Sequence, residues 1–129
     1  GAHLTNMAFY DGNLRALKLA AQGGEQDVAY MVKRLTRDAA KVFRVKGGTI
    51  EVGDQADLIL IDPEALQHFD HHNSVQRIYR DEFQHDQLVN RTDGVVPLVM
   101  IKGHPTWNGN EFEASFGKQK FGGVLETTF

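Results

Sequence analysis

The 129-residue sequence contains no cysteine. Disulfides, thiolate nucleophiles and cysteine-ligated zinc are therefore excluded. Long apolar runs are also missing. None approaches the roughly 20 residues that a membrane-spanning helix needs. Basic charge is not in excess: 14 Lys and Arg against 17 Asp and Glu leave a net charge of −3. That is no electrostatic footprint for nucleic acid. The chain starts at Gly1, without an initiator Met, and shows no signal peptide. The default compartment is then the cytoplasm, which redox chemistry does not fix here. What remains is 41% hydrophobic and 24% charged, the mixture of a globular chain able to bury a core.

The first half reads as helix and the second as short strands and loops. A helix is expected from about Asn13 to Ala21, capped by Asp11 or Asn13 and ended by Gly23-Gly24. Val28, Met31, Val32 and Leu35 then recur at i, i+3, i+4 and i+7, one apolar stripe. Thr36 looks like a new N-cap, so Glu25 to Phe43 reads as two helices with a corner at Leu35-Thr36. Thr49-Ile50-Glu51-Val52 alternates like a strand with one wet face, and Gly53-Asp54 supplies a turn. Leu58-Ile59-Leu60-Ile61, between Asp57 and Asp62-Pro63, reads as a strand buried on both faces. Glu64-Ala65-Leu66 has room for one helical turn. His68 to Asn73 is polar and turn-rich, Ser74 to Tyr79 alternates weakly, and Asp81 to Asn90 is ambiguous. Val95 to Ile101 is the second strong strand, with Pro97 marking an edge, a bulge or a strand start. Lys102-Gly103 and Asn108-Gly109-Asn110 are hairpin turns around His104 to Trp107. The tail from Phe112 to Phe129 is too apolar to float free.

Six histidines in a cysteine-free chain raise the question of metal. His68-Phe69-Asp70-His71-His72 is the richest cluster, with His85-Asp86 further on; imidazole and carboxylate suit zinc. Against a metal site, there is no His-Glu-x-x-His and no His-x-His. The competing reading of His68, Asp70, His71 and His72 is a solvated loop. Arg77, Arg80 and Arg91 suggest an anion site, but interleaved Asp81, Glu82 and Asp86 favour a mixed-charge surface. Gly47-Gly48 is no phosphate loop, since it lacks the Lys-Ser/Thr partner. Glu51, Asp54 and Asp57 make no acid–base pair that spacing defends.

One run carries a resemblance. Gly48-x-Ile50-x-x-Gly53-x-x-Ala56-Asp57-Leu58-x-x-x-Asp62 resembles the segment that returns the chain to the small β-domain in the amidohydrolase superfamily. Thr36-x-x-Ala39-Ala40-Lys41-Val42-Phe43 is similar to the short helix before that return. Gly94 through Gly103 is similar to the closing hairpin. Gly1-Ala2-His3-Leu4 and Asn90-Arg91-x-Asp93-Gly94 look like the D-aminoacylase or N-acyl-D-glutamate deacylase branch.

The resemblance implies an α+β chain incomplete at both parts. Residues 1–46 would be the last helices of a TIM-like (β/α)8 barrel. Residues 47–129 would be most of a small β-sandwich-type domain, with an insertion at about 67–88. The full-length parent would hold zinc or another divalent metal and hydrolyse a small N-acyl amino acid. Its His-x-His and its catalytic Asp, expected just before Gly1, lie outside this sequence. No cofactor is then expected for this chain alone. His3 would sit at the barrel mouth, against the alternative of a half-buried His bonded to a loop. Asp57 and Asp62 would be structural, accepting backbone N–H groups. In such a parent the β-domain draws on both chain ends. The isolated chain would leave sheet edges and its helical stripe uncovered, and self-association is expected. The alternatives are a stand-alone α+β interaction module and one subunit of a split hydrolase.

Overall fold

A computed structural model describes residues 12–70, 72–81, 84–90 and 94–127. Helix α1 spans Gly12–Ala21 and α2 spans Glu25–Lys33. A π-helical turn, Arg34–Asp38, runs directly into α3, Ala39–Phe43. The strands are β1 (Leu58–Leu60), β2 (Val75–Arg80), β3 (His85–Asn90), β4 (Leu98–Ile101) and β5 (His104–Trp107), with α4 (Pro63–His68) after β1.

The expected corner at Leu35-Thr36 is instead a continuous helix with a bulge. Thr36 is not an N-cap: its hydroxyl donates to the Val32 carbonyl, 2.7 Å away, one turn back. A threonine with a helix already behind it satisfies its own hydroxyl this way. The helix closes on Arg44, which takes a left-handed φ of 54°. The amides of Arg44 and Val45 bond back to the carbonyls of Lys41 and Ala40, the pairing of a Schellman stop. Gly48 then docks on the bulge at φ 77°, where a Cβ would lie 2.7 Å from the Thr36 carbonyl carbon. Only glycine fits there without displacing helix backbone.

Two sheets follow. Strands β1, β4 and β5 form an antiparallel sheet in that order, and β2 with β3 forms a separate hairpin. Lys102 (φ 51°) and Gly103 (φ 79°) make the two-residue β4–β5 turn, left-handed at both positions. The weakly alternating Ser74–Tyr79 region and the ambiguous region after it pair fully, from Val75↔Asn90 to Arg80↔His85. The tract expected to be an insertion therefore contains this hairpin.

The core is small. Among the described residues Leu17, Leu66, Phe69 and Val95 are its buried apolar members. Leu14, Met31, Leu35, Ile61, Ala65 and Val96 pack around them. Each such side chain is worth about 1.5–3 kcal/mol when fully buried. Lys18 on α1 donates to the Phe69 carbonyl, and the Asp62 amide to the Val95 carbonyl. The helices and the approach to β4 are thereby joined around Phe69.

Several apolar expectations fail for lack of a partner. Thr49–Val52 forms no strand, and Ile50 is 87% exposed with Val52 fully so. Strand β1 is not buried on both faces: Ile59 and Leu60 point to opposite sides, and both are more than half exposed. The stripe of α2 divides, with Met31 and Leu35 on the core and Val32 exposed. The tail is extended and exposed at Val124 and Leu125.

Candidate functional site

Helix α4 starts where Asp62 accepts the Glu64 and Ala65 amides, both at 2.9 Å, with Pro63 at the first helical position. It ends at the histidine cluster. His68 is exposed, and its Nδ1 lies 2.9 Å from the Glu64 carbonyl. A carbonyl only accepts, so Nδ1 is the donor in this contact. Phe69 turns inward to the core, which the polar character of its neighbours hid. Asp70 accepts the His72 amide at 2.9 Å and the Asn73 side chain at 2.6 Å. Its own carbonyl receives the Ser74 hydroxyl at 2.7 Å. The loop is thus a carboxylate-closed turn with His68 and His72 outward. His3 and His71 lie outside the described residues, as do Arg91 and Asp93. Among the described residues no three His, Asp or Glu side chains converge on a metal position. His85 is on the separate hairpin, and His104 stacks on Phe121 at 5.1 Å.

The return motif is tied together by its acids. Asp57 accepts the Lys102 amide at 2.7 Å, 45 residues away, and the Gln55 side chain at 2.6 Å. The Gly103 amide reaches the Ala56 carbonyl at 2.9 Å. Ala56-Asp57, Leu58 and the Lys102-Gly103 turn thereby form one unit at the open end of β1 and β4. Asp54 closes the preceding loop, accepting the Thr49 hydroxyl (2.5 Å) and the Glu51 amide (3.0 Å). Gly53 makes that turn at φ 95°, and Ile50 stands exposed above it. The Thr49 hydroxyl, then the Glu51 amide, hold the Asp54 carboxyl below its ordinary pKa, with a further contribution from Lys46. Asp38 is lowered by the hydrogen bond from Lys33, helped by Arg34. In neither case does the geometry present a free acid to a substrate.

A shallow cavity of about 410 Å³ lies between Gly94, Pro97, Asn108, Gly109 and Asn110. The sequence marks Gly94 and Asn108-Gly109-Asn110 as turns, and Pro97 as an edge, a bulge or a strand start. Asn108 is committed to that fold, accepting the Asn110 and Glu111 amides at 3.1 Å each. The lining holds no titratable side chain, so it supplies hydrogen bonds and no proton transfer. Of the cationic trio, Arg77 meets Asp86 at 3.4 Å, a surface pair and not a clustered anion site. Among the described residues no helix is long and apolar enough to cross a membrane.

Three comparisons bear on this chain. No family model matches it, and no solved structure does. It is similar to uncharacterized proteins of Mycobacterium bovis and of two Mycobacterium tuberculosis strains. In each case identity is 34% over 125 residues, covering 90% of this chain and 20% of the relative. The chain therefore spans about a fifth of the length of the curated relatives it matches.

Proposed function

We propose that this chain is the C-terminal portion of a longer, cytoplasmic, metal-dependent amidohydrolase of the N-acyl-D-amino-acid deacylase type. In it, the helices would pack against the rest of a barrel, and the sheet would belong to a small composite β-domain. The observation that carries this reading is the match to one fifth of much longer relatives, which leaves room for the missing metal-binding strands. The motif from Gly48 to Asp62 supplies the chemistry class. The exposure of Val42, Phe43, Ile50 and Val52 is consistent with surfaces that another part of the protein covers.

The described residues of this chain do not make a metal-ligand set, so no hydrolytic step is assigned to them. Their role is structural: Asp57, Asp62 and the glycines of the return motif hold the β-domain against the last helices. Zinc or another divalent metal, the substrate's acyl group and the proton acceptor belong to the remainder.

The test is to express the complete reading frame that encodes this chain and assay it on N-acyl-D- and N-acyl-L-amino acids. D-selective hydrolysis that chelation abolishes and zinc restores is the expected result. A reading frame with no His-x-His and no acidic residue directly before Gly1 would sink the proposal.

A further inference from the structure

Asn108 follows β5 and precedes Gly109; no other asparagine of the chain is followed by glycine. Its side chain is engaged at both polar atoms. Oδ1 accepts the Asn110 and Glu111 amides, at 3.1 Å each, and Nδ2 donates to Glu113 at 3.1 Å. Two N–H donors on one carbonyl oxygen polarise Cγ, and they stand where negative charge collects if that carbon is attacked. The nearest nucleophile is the next nitrogen of the chain, that of Gly109. Among the described residues its N–H donates no hydrogen bond, and glycine has no Cβ to shield it. Asn108 is exposed, and the shallow cavity of about 410 Å³ opens on both residues, so solvent reaches them.

We propose that Asn108 is a modification site: the Gly109 nitrogen converts its side-chain amide to aspartate and isoaspartate, and this conversion opens the turn that seats Trp107. The Gly109 nitrogen bonds to Cγ and gives up its proton. The Cγ–Nδ2 bond breaks, and Nδ2 leaves as ammonia with that proton. Water then opens the five-membered imide at either carbonyl, leaving aspartate or isoaspartate. Water is the other reactant, and nothing is oxidised or reduced. Aspartate puts a carboxylate oxygen where Nδ2 met Glu113, so a hydrogen bond becomes a contact between like charges. Isoaspartate adds a methylene to the main chain inside a loop closed by two short bonds. These run from the Asn108 amide to the Glu111 carbonyl at 3.2 Å and from the Glu113 amide to the Thr106 carbonyl at 3.0 Å. Trp107 depends on that closure. It bridges to Phe112, and the two rings meet edge-on at 5.2 Å. This inference rests on the turn and not on the hydrolase reading.

Prolonged incubation of the 129-residue chain at neutral pH, followed by peptide mapping with mass spectrometry, tests it. An amide-to-acid mass gain is expected at Asn108. It should be at least about tenfold faster than at the exposed Asn73 and Asn110, a barrier difference of about 1.4 kcal/mol or more. The modified peptide should separate into two forms of equal mass, the signature of an imide opened on either side. Gly109→Ala should slow the gain about tenfold or more, because a Cβ then crowds the nitrogen. Trp107 is the sole tryptophan, so its fluorescence reports the turn. Asn108→Asp should shift its emission to the red, and adding Glu113→Gln should move it back toward the parent. A gain at Asn108 no faster than at Asn73 and Asn110 overturns the proposal. So does a single product form, or an unchanged rate in Gly109→Ala. Asn108→Asp with the emission and thermal midpoint of the parent overturns the coupling to Trp107.

Discussion

The β2–β3 and β4–β5 hairpins differ in a way that ladder length does not anticipate. Pairing in β2–β3 runs unbroken from Val75↔Asn90 to Arg80↔His85. Pairing in β4–β5 is shorter and slips at a bulge between Val99 and Met100. Yet β4–β5 is the integrated one. Thr106 is 2% exposed and its hydroxyl donates to the Val99 carbonyl. The Trp107 indole N–H reaches the Val96 carbonyl at 2.9 Å, beside Val95 of the core. Asp57 grips the turn from outside, and β1 adds a third strand. In β2–β3 the corresponding ties among the described residues are the exposed Arg77–Asp86 pair and a 3.3 Å bond from the Tyr79 hydroxyl to Gln84. A two-stranded ribbon with such ties is marginal by itself. Side-chain anchorage to a core, more than the number of paired residues, makes a hairpin part of the fold.

The strongest way to break this contrast is Leu66→Ala. It should cost about 2–5 kcal/mol, lowering the thermal midpoint and the amide protection of β4 and β5. Protection in β2–β3, low from the outset, should hardly change; a parallel loss in both hairpins would show that they unfold as one unit. Thr106→Val should cost about 1 kcal/mol through the lost buried hydrogen bond, read as a lower denaturation midpoint with circular dichroism preserved.

Acidification should act on the Asp54 loop. Because the folded-state pKa is lowered, its carboxylate stabilises the loop above the ordinary carboxylate pKa. That contribution disappears as pH falls through the lowered value. Exchange of the Glu51 amide, corrected for its intrinsic pH dependence, should accelerate in that window, and Asp54→Asn should remove the acceleration. Arg77→Ala on the β2–β3 hairpin should change stability by about 0.5 kcal/mol or less. A larger loss would mean that β2–β3 is held by more than its own ladder.

These differences track what local patterns in a sequence can express. Helix α1, expected from Asn13, begins at Gly12 and ends at Ala21. The Lys102-Gly103 turn and the stop at Asp62-Pro63 are set by short-range backbone chemistry, and they form where that chemistry places them. Thr49–Val52 alternates properly but, among the described residues, has no neighbouring strand, and a ladder cannot form alone. Phe69 was hidden among histidines and aspartates because burial is decided by elements distant in sequence, here Leu17 and Val95. Asp57 could be expected to accept backbone amides from its residue type and position; that one of them is Lys102 could not. The tail's apolar content was plain, but apolarity states a need for cover without identifying the cover.

The bulge at Arg34–Asp38 sets the angular phase of everything after it. Each α-helical residue advances about 100°, and a π-turn takes up one residue more than a regular turn. Without it, Val42, seven positions after Leu35, would fall on the same side as Met31 and Leu35. With it, Val42 is 77% exposed and Phe43 69%, aimed away from the small core. One short helical rod therefore presents apolar side chains in two directions, Met31 and Leu35 toward the core and Val42 and Phe43 away from it.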